Sequence, residues 1–229
     1  MSEYATKINA LLAKAASTEH DAERDTFTEA AERLMVKWGI DDVMLSRAEQ
    51  QARESAKVPI EQRAYRVEGA NGKLLAELVA ATVAMGIGPV RALIDRSSNR
   101  WWCVGYTDDL ARVELYVPQL VEQARDAWSR YLARTSFWSG TDRERAKRTF
   151  LATFGATVAA RLEAMFREAA TTTGLELALS RRTEHVQTEL ARLNPRLGRA
   201  RRRTYYGPDV AAAGRAAGQQ ASITAGALR

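Results

Sequence analysis

Arg196, Arg199, Arg201, Arg202 and Arg203, followed directly by Tyr205 and Tyr206, are the residues of this chain best matched to a chemistry. A guanidinium pairs with phosphate through two parallel N–H donors, and a tyrosine ring stacks on an exposed base. The run therefore reads as a contact strip for single-stranded DNA or RNA. Arg143, Arg145, Lys147 and Arg148 form a second cationic group earlier in the chain, partly offset by Asp142 and Glu144. Cations at the start of a helix oppose its dipole, so an outside anion suits them. The charge distribution agrees. Residues 181–229 hold ten arginines against three acids, net +7, while the whole chain of 229 residues carries +6, leaving −1 for residues 1–180. A near-neutral body with a basic end is the asymmetry expected of a protein that meets a polyanion. Arginine frequency alone carries no weight, since 28 Arg against six Lys is also what a GC-rich genome produces. The bland alternative is that both clusters pair with the acids of the N-terminal region, from Glu19 to Glu32.

Other chemistries find little. The two histidines, His20 and His185, have no further ligands at metal spacing, and the one cysteine, Cys103, cannot build a zinc site or a disulfide. Cys103 reads as a packed thiol, with no histidine near it in sequence. Asp108-Asp109, after an apolar strand, is the best acidic candidate for metal-assisted chemistry, but carboxylates at a helix N-terminus are also what the dipole favours. Gly86-Ile87-Gly88 precedes a strand rather than a helix, so it lacks the setting of a dinucleotide loop. No P-loop or nucleophile elbow occurs. The sequence assigns no catalytic residue, no metal and no cofactor, and whether an enzyme is present stays open, with the weight against one.

The elements that must position the two basic groups follow from hydrophobic period. Ile8, Leu11, Leu12 and Ala15 mark one helix face; Ser17-Thr18 break it, and Phe27, Ala30, Ala31, Leu34, Met35 and Trp38 mark a second, closed by Gly39. The short connection predicts an antiparallel helical hairpin. A charged helix from Asp41 to about residue 56 and a linker over 57–62 come next. Residues 65–67 read as a short strand, 74–82 as a helix, and 90–94 and 101–106 as two strands pairing as a hairpin. Alternation sets Trp101 and Cys103 on one face of the last strand and Trp102 and Val104 on the other. A long helix follows, kinked or split at Pro118. A loop over 133–141 exposes Phe137 and Trp138. A further helix runs from Asp142 to about residue 173, ended by Gly174. Leu175, Leu177 and Leu179 suit a strand joining the sheet, before a short helix from Thr183 to Leu193. The stretch from Asp209 to Ala221 reads as a helix with Gly214 and Gly218 one turn apart.

Lys7-Ile8, Leu11-Leu12-Ala13-Lys14-Ala15, Ser17-Thr18 and Leu34-Met35-Val36-Lys37-Trp38-Gly39-Ile40 resemble the N-terminal signature of domain of unknown function 2786. That family is found in bacteria, especially actinobacteria, and in their phages and mobile elements. The resemblance is strong over residues 5–41. Val104 to Asp109, Arg148-Thr149-Phe150 with Phe154-Gly155, and Ala213 to Gly218 are similar to the region that often follows the hairpin. Glu23-Arg24-Asp25 departs from the more alanine-rich acidic stretch common there. The resemblance implies a setting, phage or mobile DNA, and supplies no activity and no catalytic residues.

The sequence thus predicts an α+β protein, mainly helical: an N-terminal αα-hairpin over 1–56, an α+β core over 62–193 in which long helices cover a small antiparallel sheet, and a basic Ala/Gly-rich segment over 194–229. It predicts a non-enzymatic nucleic-acid-binding accessory protein of a phage or mobile element. The alternative is a protein–protein assembly module that docks through the hairpin, with outward Lys7 and Lys14 at the contact. No signal or spanning segment is recognisable, so the expected place is the cytoplasm, with no membrane partner.

Overall fold

The computed structural model describes residues 3–18, 20–52, 59–95, 97–173, 176–195 and 206–222. Helix α1 (Glu3–Ser17) and helix α2 (Asp21–Ala52) form the expected hairpin. Thr18 closes the connection: its hydroxyl donates to Glu23 at 2.6 Å and accepts the His20 backbone N–H at 3.4 Å. The apolar faces do not stand apart from the rest of the protein. Ile8, Leu12, Ala31, Met35 and Trp38 are buried in the same core as the sheet and the long helices. Helix α2 does not stop at Gly39, as the sequence suggested, but continues as one helix. A lone helical glycine costs only about 1 kcal/mol relative to alanine, which helix formers on both sides outweigh.

Strands β1 (Ile60–Arg66), β2 (Arg91–Ile94) and β3 (Arg100–Tyr106) make an antiparallel sheet in the order β1-β3-β2. Strand β1 takes up residues 60–62, assigned to the linker by sequence; residues 53–58 lie outside the described residues. Between β1 and β2 the chain runs through α3 (Gly72–Leu75), a π-helical turn (Ala76–Ala80) and α4 (Ala81–Ala84), all largely buried. The alternation read from β3 holds. Trp101 and Cys103 enter the main core, and Val104 and Tyr106 belong to a separate cluster on the other face.

Helix α5 (Thr107–Leu132) buries Leu110, Val113, Val117, Leu120, Val121, Ala124 and Trp128 along one stripe. It runs through Pro118 unbroken. The missing N–H falls on the exposed face, and the stripe buried on either side of the proline exceeds a loss of about 3 kcal/mol. Helix α6 (Gly140–Thr173) is the long scaffold beneath the others.

Helix α7 (Glu176–Leu193) takes up Leu177 and Leu179 of the strand expected there, and Leu175 lies outside the described residues. The alternating leucines misled because the true inward row is Leu179, Arg182, Val186 and Leu190, spaced three to four apart. Its Val186 and Leu190 pack with Val104 and Tyr106, Arg182 lies over the Tyr106 ring and Leu179 packs toward Val36, whereas Leu177 points to solvent. Helix α8 (Pro208–Gln220) packs along α6 through the two glycines noted in the sequence. A Cβ on Gly214 would lie 2.5 Å from the Phe150 carbonyl oxygen, and one on Gly218 2.8 Å from Thr157 Cβ. The C-terminal segment is thereby joined to the core.

Candidate nucleic-acid interface

The second basic group opens α6. The preceding loop ends in Ser139, whose hydroxyl accepts the Asp142 N–H at 3.1 Å and donates to the Asp142 carboxylate at 2.8 Å, capping the first turn. Arg143, Arg145 and Arg148 then project into solvent, and among the described residues they form no ion pair. Lys147 does not join them. It is buried, donating to Glu144 at 2.6 Å and to Asn71 Oδ1 at 3.1 Å, so it ties α6 to the turn before α3. Of the two aromatics in the loop, Phe137 turns in toward Trp128, with ring centroids 6.3 Å apart, whereas Trp138 is fully exposed.

Tyr206 meets this same end of α6. Its backbone N–H donates to Thr149 Oγ1 at 2.7 Å, and its ring lies near the Asp142 carboxylate. Burial, then the Asp142 charge, pushes the phenol pKa up, with Arg145 opposing. Arg196, Arg199, Arg201, Arg202, Arg203 and Tyr205 lie outside the described residues. The residues that flank them are described. On one side Asn194, which follows α7, donates to Gln62 Oε1 on β1 at 2.8 Å. On the other, Tyr206 sits beside Asp142 and Arg145.

The acidic candidate resolves differently. Asp109 is fully buried, and its carboxylate accepts from Arg112 on the same helix and from Arg182 on α7, the latter at 2.9 Å. Arg182 lies over the Tyr106 ring at 4.0 Å and Arg112 over the Trp38 indole at 5.3 Å. A carboxylate flanked by two guanidiniums in a packed interior is a structural tie between α2, α5 and α7. Asp108 is half-buried in the first turn of α5. Among the described residues no group of His, Cys, Asp and Glu is arranged to hold a metal ion. His20 is exposed, and His185 Nδ1 bonds to the Tyr106 hydroxyl at 3.1 Å. Cys103 is buried, and that desolvation raises its thiol pKa far above the usual range.

Sequence reasoning gave no role to Trp138, Trp102, Arg66 or Arg100. For Trp138 the signal was present in its small and polar neighbours. The other three depend on strand register, which pairs Arg66 with Arg100 and Ala64 with Trp102. Among the described residues no helix is long and apolar enough to cross a membrane. No curated protein and no solved structure matches the chain. Residues 4–42, the helical hairpin and under a fifth of the chain, match the family model described as Protein of unknown function (DUF2786), the family whose signature the sequence resembles.

Proposed function

We propose that this is a non-enzymatic nucleic-acid-binding accessory protein that contacts phosphates through the arginines of 196–203 and the exposed cations of α6. The observation that carries the reading is the seat of Tyr206. The residue that ends the arginine–tyrosine strip donates its backbone N–H to Thr149 and lies near Asp142, in the first turns of the helix that bears Arg143, Arg145 and Arg148. The described end of the strip thus lies against the helix that carries the second basic group, and the exposed indole of Trp138 precedes the same helix. Cations with aromatic faces among them suit the backbone and bases of an unpaired strand. The cytoplasm and a phage or mobile-element setting complete the proposal, the latter from the family resemblance.

The alternative, docking of a protein partner through the hairpin, has less behind it. The apolar faces of α1 and α2 are spent on the protein's own core.

The test is salt dependence. With about four phosphates neutralised, log K should fall against log salt with a slope of roughly −3 to −4. Replacing Arg201, Arg202 and Arg203 with alanine, or Arg143, Arg145 and Arg148 likewise, should flatten the slope and leave thermal stability nearly unchanged. Salt-insensitive binding, or none, ends the proposal.

A further inference from the structure

The outer face of the sheet is only half covered. Register places Ile60, Gln62, Ala64 and Arg66 of β1 on the same side as Tyr106, Val104, Trp102 and Arg100 of β3. Helix α7 lays Val186 and Leu190 over Val104, Tyr106, Ile60 and Leu93, which closes one end. At the other end Trp102, on the central strand, is half-buried, and the residue across from it on β1 is an exposed alanine, Ala64. Among the described residues, the strand partner of the indole on that side offers only a methyl group.

Arg66 and Arg100 lie directly opposite each other, both exposed. Like charges in that position repel. Arg66 reaches Glu68 only at 3.5 Å, with both side chains largely in solvent, and among the described residues Arg100 has no ion pair. The Asp95 carboxylate, in the adjoining turn, is taken up by Ser97 and Ser98. Among the described residues, no outward-facing position of β1, β2 or β3 carries a carboxylate. Asn194, bonded to Gln62, also brings the end of α7 to this face, immediately before the arginine strip.

We propose that the uncovered end of this face, Trp102 with Arg66 and Arg100, is a stacking platform for single-stranded nucleic acid. This rests on the nucleic-acid reading above and adds a second contact surface, where the bases of the strand lie. An indole offers its face to any base, and two facing guanidiniums suit a bridging phosphate, which would remove their repulsion. An acidic peptide would satisfy the arginines but has no use for the indole.

The experiment uses the full chain and a labelled oligothymidylate about twelve nucleotides long, with a duplex of the same length alongside. Trp102→Leu should weaken single-strand binding about tenfold, and Trp102→Phe should keep most of it. Ala64→Glu, at an exposed position outside the core, should weaken it similarly by setting a carboxylate beside the indole. The duplex should respond little to any of the three. Wild-type affinity in both Trp102→Leu and Ala64→Glu, while the triple change of Arg201, Arg202 and Arg203 to alanine loses binding, overturns the platform and leaves the nucleic-acid reading standing. Equal loss in Trp102→Phe and Trp102→Leu also overturns it, because an aromatic face is what the proposal requires. If the unaltered protein retains neither oligonucleotide, both readings fall.

Discussion

Asp109 on α5 and Arg182 on α7, 73 residues apart in sequence, meet inside the protein with Oδ2 and Nη2 2.9 Å apart. Arg112 shares the same carboxylate, so one buried acid holds two guanidiniums. Trp38 and Tyr106 lie against those two guanidiniums, which makes the cluster the point where the hairpin, α5, β3 and α7 come together.

Removing the acid should therefore be costly. Asp109→Ala leaves two cations buried around a vacated carboxylate and should destabilise the fold by about 3–5 kcal/mol. Urea unfolding of the variant measures this, and a change under about 1 kcal/mol would contradict the tie described here.

The α6–α8 contact predicts a contrast between two glycines. Gly214→Ala drives a methyl group against Thr153 and Phe150 and should destabilise by about 1–3 kcal/mol, releasing α8 first. Gly140→Ala, where a Cβ meets nothing within 4 Å, should change stability by no more than about 0.5 kcal/mol. Hydrogen exchange of α8 in the two variants reports the difference directly.

Cys103 should be inert while the protein is folded. Burial disfavours its thiolate, so a maleimide at neutral pH should label it only after denaturant is added. Rapid labelling of the native protein would mean that β3 opens readily.

The turn between β2 and β3 should be acid-sensitive. Hydrogen bonds from Ser97 and Ser98 hold the Asp95 carboxyl pKa down to about 2. A carboxylate whose folded pKa is depressed stabilises the fold above its unfolded value near 3.9 and loses that contribution as pH falls toward about 2. Titration of the Asp95 carboxyl resonance should show the low midpoint, and Ser97→Ala together with Ser98→Ala should return it toward the ordinary range.

Helix faces, the β3 alternation and the antiparallel pairing of β2 with β3 were legible in the sequence, because period alone fixes which side chains can be buried together. Two stops failed for a common reason. Gly39 and Pro118 are local penalties of about one to three kcal/mol, and the buried stripe of α5 or the helix formers around Gly39 outweigh them. The α7 misreading came from leucines that satisfy a strand period locally, while Leu179, Arg182, Val186 and Leu190 satisfy a helix period over a longer span.

The sequence by itself determined that the protein has a basic end with tyrosines in it, a helical hairpin, and a charged start to the long helix after residue 140. Only the tertiary structure decided which cations face outward. Lys147 and Arg182 look no different from Arg148 and Arg181 along the chain, yet the first two are buried on Glu144 and Asp109 while the others meet water. It likewise decided that Tyr206 lies on α6 and that Arg66 faces Arg100. Composition and period act through near neighbours in the chain; pairings between elements depend on how whole faces pack, which no local pattern encodes.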